Sequence, residues 1–150
     1  MRVLLKESLT AAERGLLVEL LELSFDCRME SVSFLDELVL VVWVEHTDLG
    51  LCGAAAVEAQ AGSHYLSKFA VAPSVRGDGV AKLMWDALCA EQDAFFWRAR
   101  VSNPFGAWYR RRSDGSVEGE GWSVFWHGLH EAEVERAVGY AVARPADFVS

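Results

Sequence analysis

At 150 residues the chain has the size of one domain, and its 52% apolar content, with six Trp and eight Phe, supplies one core and excludes a disordered chain. A net charge of −8 excludes nucleic acid as a partner, because phosphate neutralisation needs a basic face, and no apolar run reaches the ~20 residues that span a bilayer, so no membrane partner is expected. Met1 to Leu9 has neither signal-peptide nor transit-peptide character, and Cys27, Cys52 and Cys89 are odd in number with no CxxC pair, so the expectation is a cytoplasmic protein with reduced thiols, no disulfide frame and no metal.

Thr10-Ala-Ala-Glu13 is a capping-box pattern, and Leu16, Leu17, Leu20, Leu21 and Leu23 follow at helical spacing, which predicts a helix over 11–24. Residues 38–46 are β-branched and aromatic and read as a strand. Thr47-Asp48-Leu49-Gly50 turns the chain into a second strand, 51–59, and Ala61-Gly62 turns it into a third, 64–72. A loop over 73–79 leads into a helix over 80–92. FFWRARV, 95–101, is a further strand, broken by Asn103-Pro104, after which 105–112 is a short helix or loop. Asp114-Gly115 is a turn, WSVFWH (122–127) a late strand, and 131–138 a closing helix. This order predicts an α+β fold with a mixed sheet, in a single domain over 1–150.

The stretch Lys68-Phe-Ala-Val-Ala-Pro-Ser-Val-Arg-Gly-Asp-Gly-Val-Ala81 is a strand that stops at Pro73 and reopens as a helix. Gly77 and Gly79 permit backbone conformations closed to other residues. The first amides of the following helix are unpaired and lie at the positive end of its dipole, and Arg76 adds a cation. Such an assembly suits a pyrophosphate, although alone it is equally an ordinary tight connection. The missing Gly-Lys-Ser/Thr excludes a P-loop, and the missing third glycine excludes a dinucleotide fingerprint.

A strand ending in Val-x-Pro, then Arg-x-x-Gly-x-Ala before a helix, resembles the acetyl-CoA motif of the GCN5-related N-acetyltransferases. The resemblance implies a mostly antiparallel mixed sheet flanked by helices and splayed at the acetyl-CoA strand. It also implies acetyl-CoA as co-substrate, held by Phe69, Ala70 and Val71 on the strand and by Arg76, Gly77, Asp78, Gly79, Val80 and Ala81 in the loop and helix start.

Charge marks a second constellation. Residues 68–112 hold eight of the 14 basic residues against four acids, a net +4 that leaves −12 for the remainder. Such an island points to a local anionic ligand, or to a solvated basic edge. Within it, Arg98 and Arg100 project from one face of a strand, and Lys68 lies in another apolar strand beside Leu66 and Ala70. Guanidinium forks match carboxylates bidentately, and three such cations suit both ends of a dicarboxylate. The alternative pairs them with internal acids such as Asp78 or Glu118. Asn103 offers hydrogen bonds or a cap, and Tyr109 offers a phenol for proton transfer or packing.

The run FWRARVSNPxxxWYRRxSDGS, with WSVFWHG after it and YLSKFAV before it, resembles the acetyltransferase domain of vertebrate-type N-acetylglutamate synthases and of bacterial bifunctional synthase/kinases, over roughly residues 35–130. That resemblance implies that Lys68, Arg98, Arg100, Asn103 and Tyr109 surround L-glutamate. Gly106-Ala107 stands where relatives often have a second Asn-Pro, and Ser67 where many have an acid. Relatives usually carry an amino-acid-kinase domain ahead of this one, so such a domain, or a homodimer, is the expected partner. The expected chemistry is direct transfer in a ternary complex, with Tyr109 as general acid, Lys68 on a carboxylate and in the proton network, and the amides of Phe69 and Val71 on the thioester. His64, His127 and His130 are expected to be non-catalytic. Other readings are an acetyltransferase for another acidic amine or a peptide N-terminus, or a non-catalytic CoA-binding module regulating a kinase.

Overall fold

The capping box at the first helix forms as its residues dictate: Thr10 Oγ1 accepts from the Glu13 amide at 3.1 Å and Glu13 accepts from the Thr10 amide at 2.9 Å. In the computed structural model, which describes residues 1–149, this helix is α1 (Ala11–Phe25), preceded by β1 (Arg2–Lys6). There follow β2 (Leu38–His46), β3 (Gly50–Gln60), β4 (Ser63–Val71), α2 (Val80–Glu91), β5 (Phe95–Arg100), α3 (Gly106–Arg112), β6 (Gly115–Glu118), β7 (Trp122–His127) and α4 (Glu131–Ala143). The seven strands form one sheet in the order β1-β2-β3-β4-β5-β7-β6. Pairs β1–β2, β2–β3, β5–β7 and β6–β7 are antiparallel. β4 and β5 are parallel and register at one pair, Tyr65 with Phe96, which is the expected splay. The α+β class with a mixed, mostly antiparallel sheet is therefore as the sequence predicts.

Three differences have physical causes. β1 and β6 are edge strands with largely exposed side chains, so neither carries the alternation that marks a half-buried strand. α1 buries Leu17, Leu20 and Leu21 and exposes Leu16 and Leu23, a narrower inward stripe than the run of leucines suggests. α4 continues to Ala143, because Ala137 and Ala141 extend its buried face beyond residue 138.

The chain makes two compact units: one comprises 1–58, 67–91 and the segment from Ala146, the other 59–66 and 92–145. In the first, β2 and β3 are buried on both faces through their centres, and α2 buries Val80, Met84, Trp85 and Leu88. Gly53 is where that helix comes closest: a Cβ there would lie 2.7 Å from Val80 Cγ1 and 2.8 Å from Met84 Sδ. A side chain is thus excluded at the point that seats the start of α2. The segment from Ala146 is stitched down by an isolated bridge between Met29 and Phe148 and by the Glu30 and Ser31 amides, which donate to the Asp147 carbonyl at 2.7 and 3.1 Å.

In the second unit the β5–β7 ladder pairs Trp97 with Phe125 and Phe96 with Trp126. α4 covers the face of Phe96, Tyr65 and Val124 with Ala137 and Ala141. Tyr109 of α3 packs on the opposite face, against Trp97 and Phe125.

Candidate active site

The connection from β4 to α2 is a single 3-10 turn, Pro73–Val75, followed by Arg76 and the two glycines. Gly77 and Gly79 sit at φ 91° and 84°, backbone that only glycine adopts without strain, and a Cβ at either would meet nothing within 4 Å. The positive φ values explain the residue type, and the open space is the clearance a ligand needs. Among the described residues no backbone acceptor takes the amides of Gly77, Gly79, Val80, Ala81 or Lys82. These donors lie at the positive end of α2, so the donor set fits a pyrophosphate.

Arg76 is held here as well. Its Nη2 donates to the Ser24 carbonyl at 2.6 Å and lies 3.3 Å from Ser24 Oγ, which itself donates to the Val71 carbonyl at 3.0 Å. The cation satisfies the C-terminal end of α1 while remaining exposed beside the loop. Phe69, Ala70 and Val71 lie on β4 immediately before, with Ala70 and Val71 buried and Phe69 edge-on to Trp85 at 6.4 Å. Asp78 donates its amide to the Val75 carbonyl at 3.1 Å, closing the turn.

Lys68, on the same strand, is buried. Its Nζ donates to Asp147 Oδ2 at 2.7 Å and to Ser67 Oγ at 3.0 Å, and lies 4.5 Å from the Phe34 ring centroid. The pair is 8% and 10% exposed, so the lysine's charge is compensated inside the protein. The internal acid that takes Lys68 is Asp147, 79 residues away in sequence. Lys68, the loop of Gly77 and Gly79, and Arg76 all belong to the first unit.

Arg98, Arg100, Asn103 and Tyr109 belong to the second unit. β5 projects both arginines to the α4 face, as their spacing requires. Their environments differ. Arg98 Nη1 donates to the carbonyls of Ala141 and Arg144 at 2.8 and 2.5 Å, and Nη2 to Pro145 at 3.0 Å. A cation on the last carbonyls of α4 supplies what that helix lacks, since its final turn has no basic residue. Arg100 is exposed and makes no hydrogen bond or ion pair among the described residues. Both guanidinium carbons lie over Trp122, at 3.7 Å for Arg98 and 3.9 Å for Arg100.

Asn103 Oδ1 accepts from the Phe105 amide at 2.8 Å and its carbonyl accepts from Gly106 at 3.0 Å, a turn that launches α3. With the oxygen engaged, the side-chain NH2 group is the end left to donate outward. Tyr109 is buried among Trp97, Phe105, Trp108 and Phe125 at centroid distances of 5.6–6.2 Å. Burial pushes its phenol well above the ordinary value, so the group stays protonated. It lies on the face of the β5–β7 ladder opposite the arginines.

The sequence model of the family described as NAT, N-acetyltransferase, of N-acetylglutamate synthase matches residues 4–143. The chain belongs to that family. Human mitochondrial N-acetylglutamate synthase is 32% identical over 151 residues, covering 98% of this chain and 28% of that protein. A protein named acetylglutamate kinase from Xanthomonas campestris is 35% identical over 99 residues, covering 65% of this chain and 22% of that protein. The chain thus spans about a quarter of the length of these relatives. An acetyltransferase of the GNAT family from Desulfovibrio desulfuricans, 15% identical, aligns with a TM-score of 0.63 over 84% of this chain and 97% of its own. The fold of this acetyltransferase domain is accordingly that of the GCN5-related N-acetyltransferases.

In this N-acetylglutamate-synthase-type domain Cys52 and Cys89 have no nucleophilic setting, because burial raises both thiols above their ordinary values. Among the described residues no cluster of three or more His, Cys, Asp or Glu is placed to hold a metal ion, and no helix is long and apolar enough to cross a membrane. Sequence reasoning missed three site neighbours: Trp122, Asp147 and Phe34. Trp122 stood in a strand already recognised, yet its position opposite Arg100 depends on strand register. Asp147 and Phe34 reach Lys68 through tertiary contacts that no spacing encodes.

Proposed function

We propose that this domain transfers the acetyl group of acetyl-CoA to the α-amino group of L-glutamate by direct attack in a ternary complex, acting as a single domain over 1–150. The observation that carries the reading is Arg100: an exposed guanidinium, without a hydrogen bond among the described residues, held over an aromatic ring in a chain of the N-acetylglutamate synthase family. A fork so placed matches a carboxylate.

Acetyl-CoA, when bound, supplies the activated acyl group. The amides of Gly77, Gly79, Val80 and Ala81 take its pyrophosphate, beside Arg76 and Asp78, and Phe69, Ala70 and Val71 line the approach of the pantetheine arm. Arg100 grips one glutamate carboxylate and the Asn103 NH2 group donates to the same ligand. Arg98 braces that grip from behind. Lys68, neutralised by Asp147, contributes a polarised ammonium to the substrate's hydrogen-bond network rather than a free charge. The amine attacks only when neutral. Tyr109, protonated and on the opposite ladder face, serves the thiolate leaving group rather than the carboxylates. Orientation of two bound substrates supplies much of the acceleration without a covalent step.

Free-thiol release from acetyl-CoA, measured across a panel of amino acids and peptides with free N-termini, tests the reading. Glutamate is expected to give the highest kcat/KM. A higher value with a peptide N-terminus or another amine displaces glutamate, and acetyl-CoA binding without thiol release from any acceptor favours a regulatory module.

A further inference from the structure

Arg100 presents a mechanical problem. A long, exposed arginine with no internal hydrogen bond is mobile, and a mobile fork binds a carboxylate weakly because its rotamer freedom is lost on binding. Among the described residues an aromatic ring restrains it. Trp122 is the cross-strand partner of Arg100 in the β5–β7 ladder, and the ladder is closed at this end by the Val101 amide donating to the Gly121 carbonyl at 3.0 Å. The Arg100 guanidinium carbon lies 3.9 Å from the Trp122 ring centroid. At that separation the guanidinium uses its face against the ring and keeps its in-plane N–H groups for a ligand.

The ring is itself fixed. Arg98, 3.7 Å from the same centroid, is pinned to the carbonyls of Ala141, Arg144 and Pro145. A line of contacts therefore runs from the end of α4 through Arg98 and Trp122 to Arg100, wholly within one compact unit.

We propose that Trp122 is a positioning residue that sets the direction of the Arg100 fork, and through it the preference for an acceptor bearing a carboxylate. The inference rests on the proposed acetylation of glutamate at this site. Trp122 touches no reacting atom; its contribution is to the binding of the acceptor.

Steady-state kinetics of Trp122→Leu, Trp122→Phe, Arg100→Ala and the Trp122→Leu/Arg100→Ala double variant, with thermal melts of each, test it. Trp122→Leu should raise the KM for glutamate about tenfold while kcat and the KM for acetyl-CoA stay within about twofold. Trp122→Phe, which keeps an aromatic face, should recover most of that loss. The double variant should be no worse than Arg100→Ala alone, because a residue acting only through Arg100 has nothing further to lose. An unchanged glutamate KM in a folded Trp122→Leu variant, a Trp122→Phe variant as impaired as Trp122→Leu, or losses in the double variant that multiply, would overturn the proposal. If the parent protein acetylates glutamate, such a result falls on Trp122 alone. If the parent releases no thiol with glutamate, the functional reading fails first and this inference fails with it.

Discussion

Two arginines of identical chemistry, two residues apart on one strand, have different jobs because of what surrounds them. Arg98 is consumed by three carbonyls at a helix end, so its removal costs stability. Arg98→Ala should destabilise the fold by about 2 kcal/mol, a fall in Tm of roughly 4–8 °C, read by thermal melting. Arg100→Ala should leave Tm within experimental scatter and raise the KM for glutamate at least about tenfold, the loss of one charged hydrogen-bonded pair. Equal melting temperatures for the two variants would contradict the division. Tyr109 makes a prediction in pH. Its folded phenol titrates above the unfolded value of about 10, so the folded state holds the proton more tightly. The contribution is fully present below about pH 10 and is lost as pH rises toward the folded value. Tyr109→Phe should lower kcat in the thiol-release assay, and in denaturant titrations it should lose less stability than the parent between about pH 10 and pH 12.

Among the elements, the start of α2 is the one on which the proposed acetyl-CoA binding turns. The sequence makes the loop legible through Pro73, Arg76, Gly77 and Gly79, all of which act within a few residues of one another. It does not reveal that Gly53, in the middle of a strand, is the seat of that helix. Gly53→Ala would place a methyl group 2.7 Å from Val80 Cγ1, and Val80, β-branched, yields poorly. The variant should lose about 1–3 kcal/mol of stability and bind acetyl-CoA several-fold more weakly, as measured by calorimetry. Unchanged affinity in a folded variant would show that α2 can shift without disturbing the loop amides. The β5–β7 ladder has the same character. FFWRARV and WSVFWH are each readable as strands, but the pairing that brings Trp122 opposite Arg100 comes from tertiary register.

For the whole molecule, the closure of the C-terminal segment onto Lys68 is the long-range contact with the clearest consequence. Removing one partner of a buried ion pair leaves an uncompensated charge, so Asp147→Ala should cost about 3–5 kcal/mol in urea unfolding. Replacing both partners by apolar residues, Lys68→Met with Asp147→Leu, should restore much of that stability while leaving acetyl transfer impaired. Full activity in the double variant would remove Lys68 from the site. The sequence by itself determined the α+β class, the glycine-bearing loop ahead of α2 and the strand that carries two arginines, because each of these follows from periodicity, turn chemistry or short spacing. Only the tertiary structure decided which cation is free. Lys68 is neutralised by an aspartate 79 residues away, Arg98 is spent on a helix end, and Arg100 alone of the three is exposed over a cross-strand ring. Charge compensation depends on distance in space, and a linear chain carries that information only once it has folded.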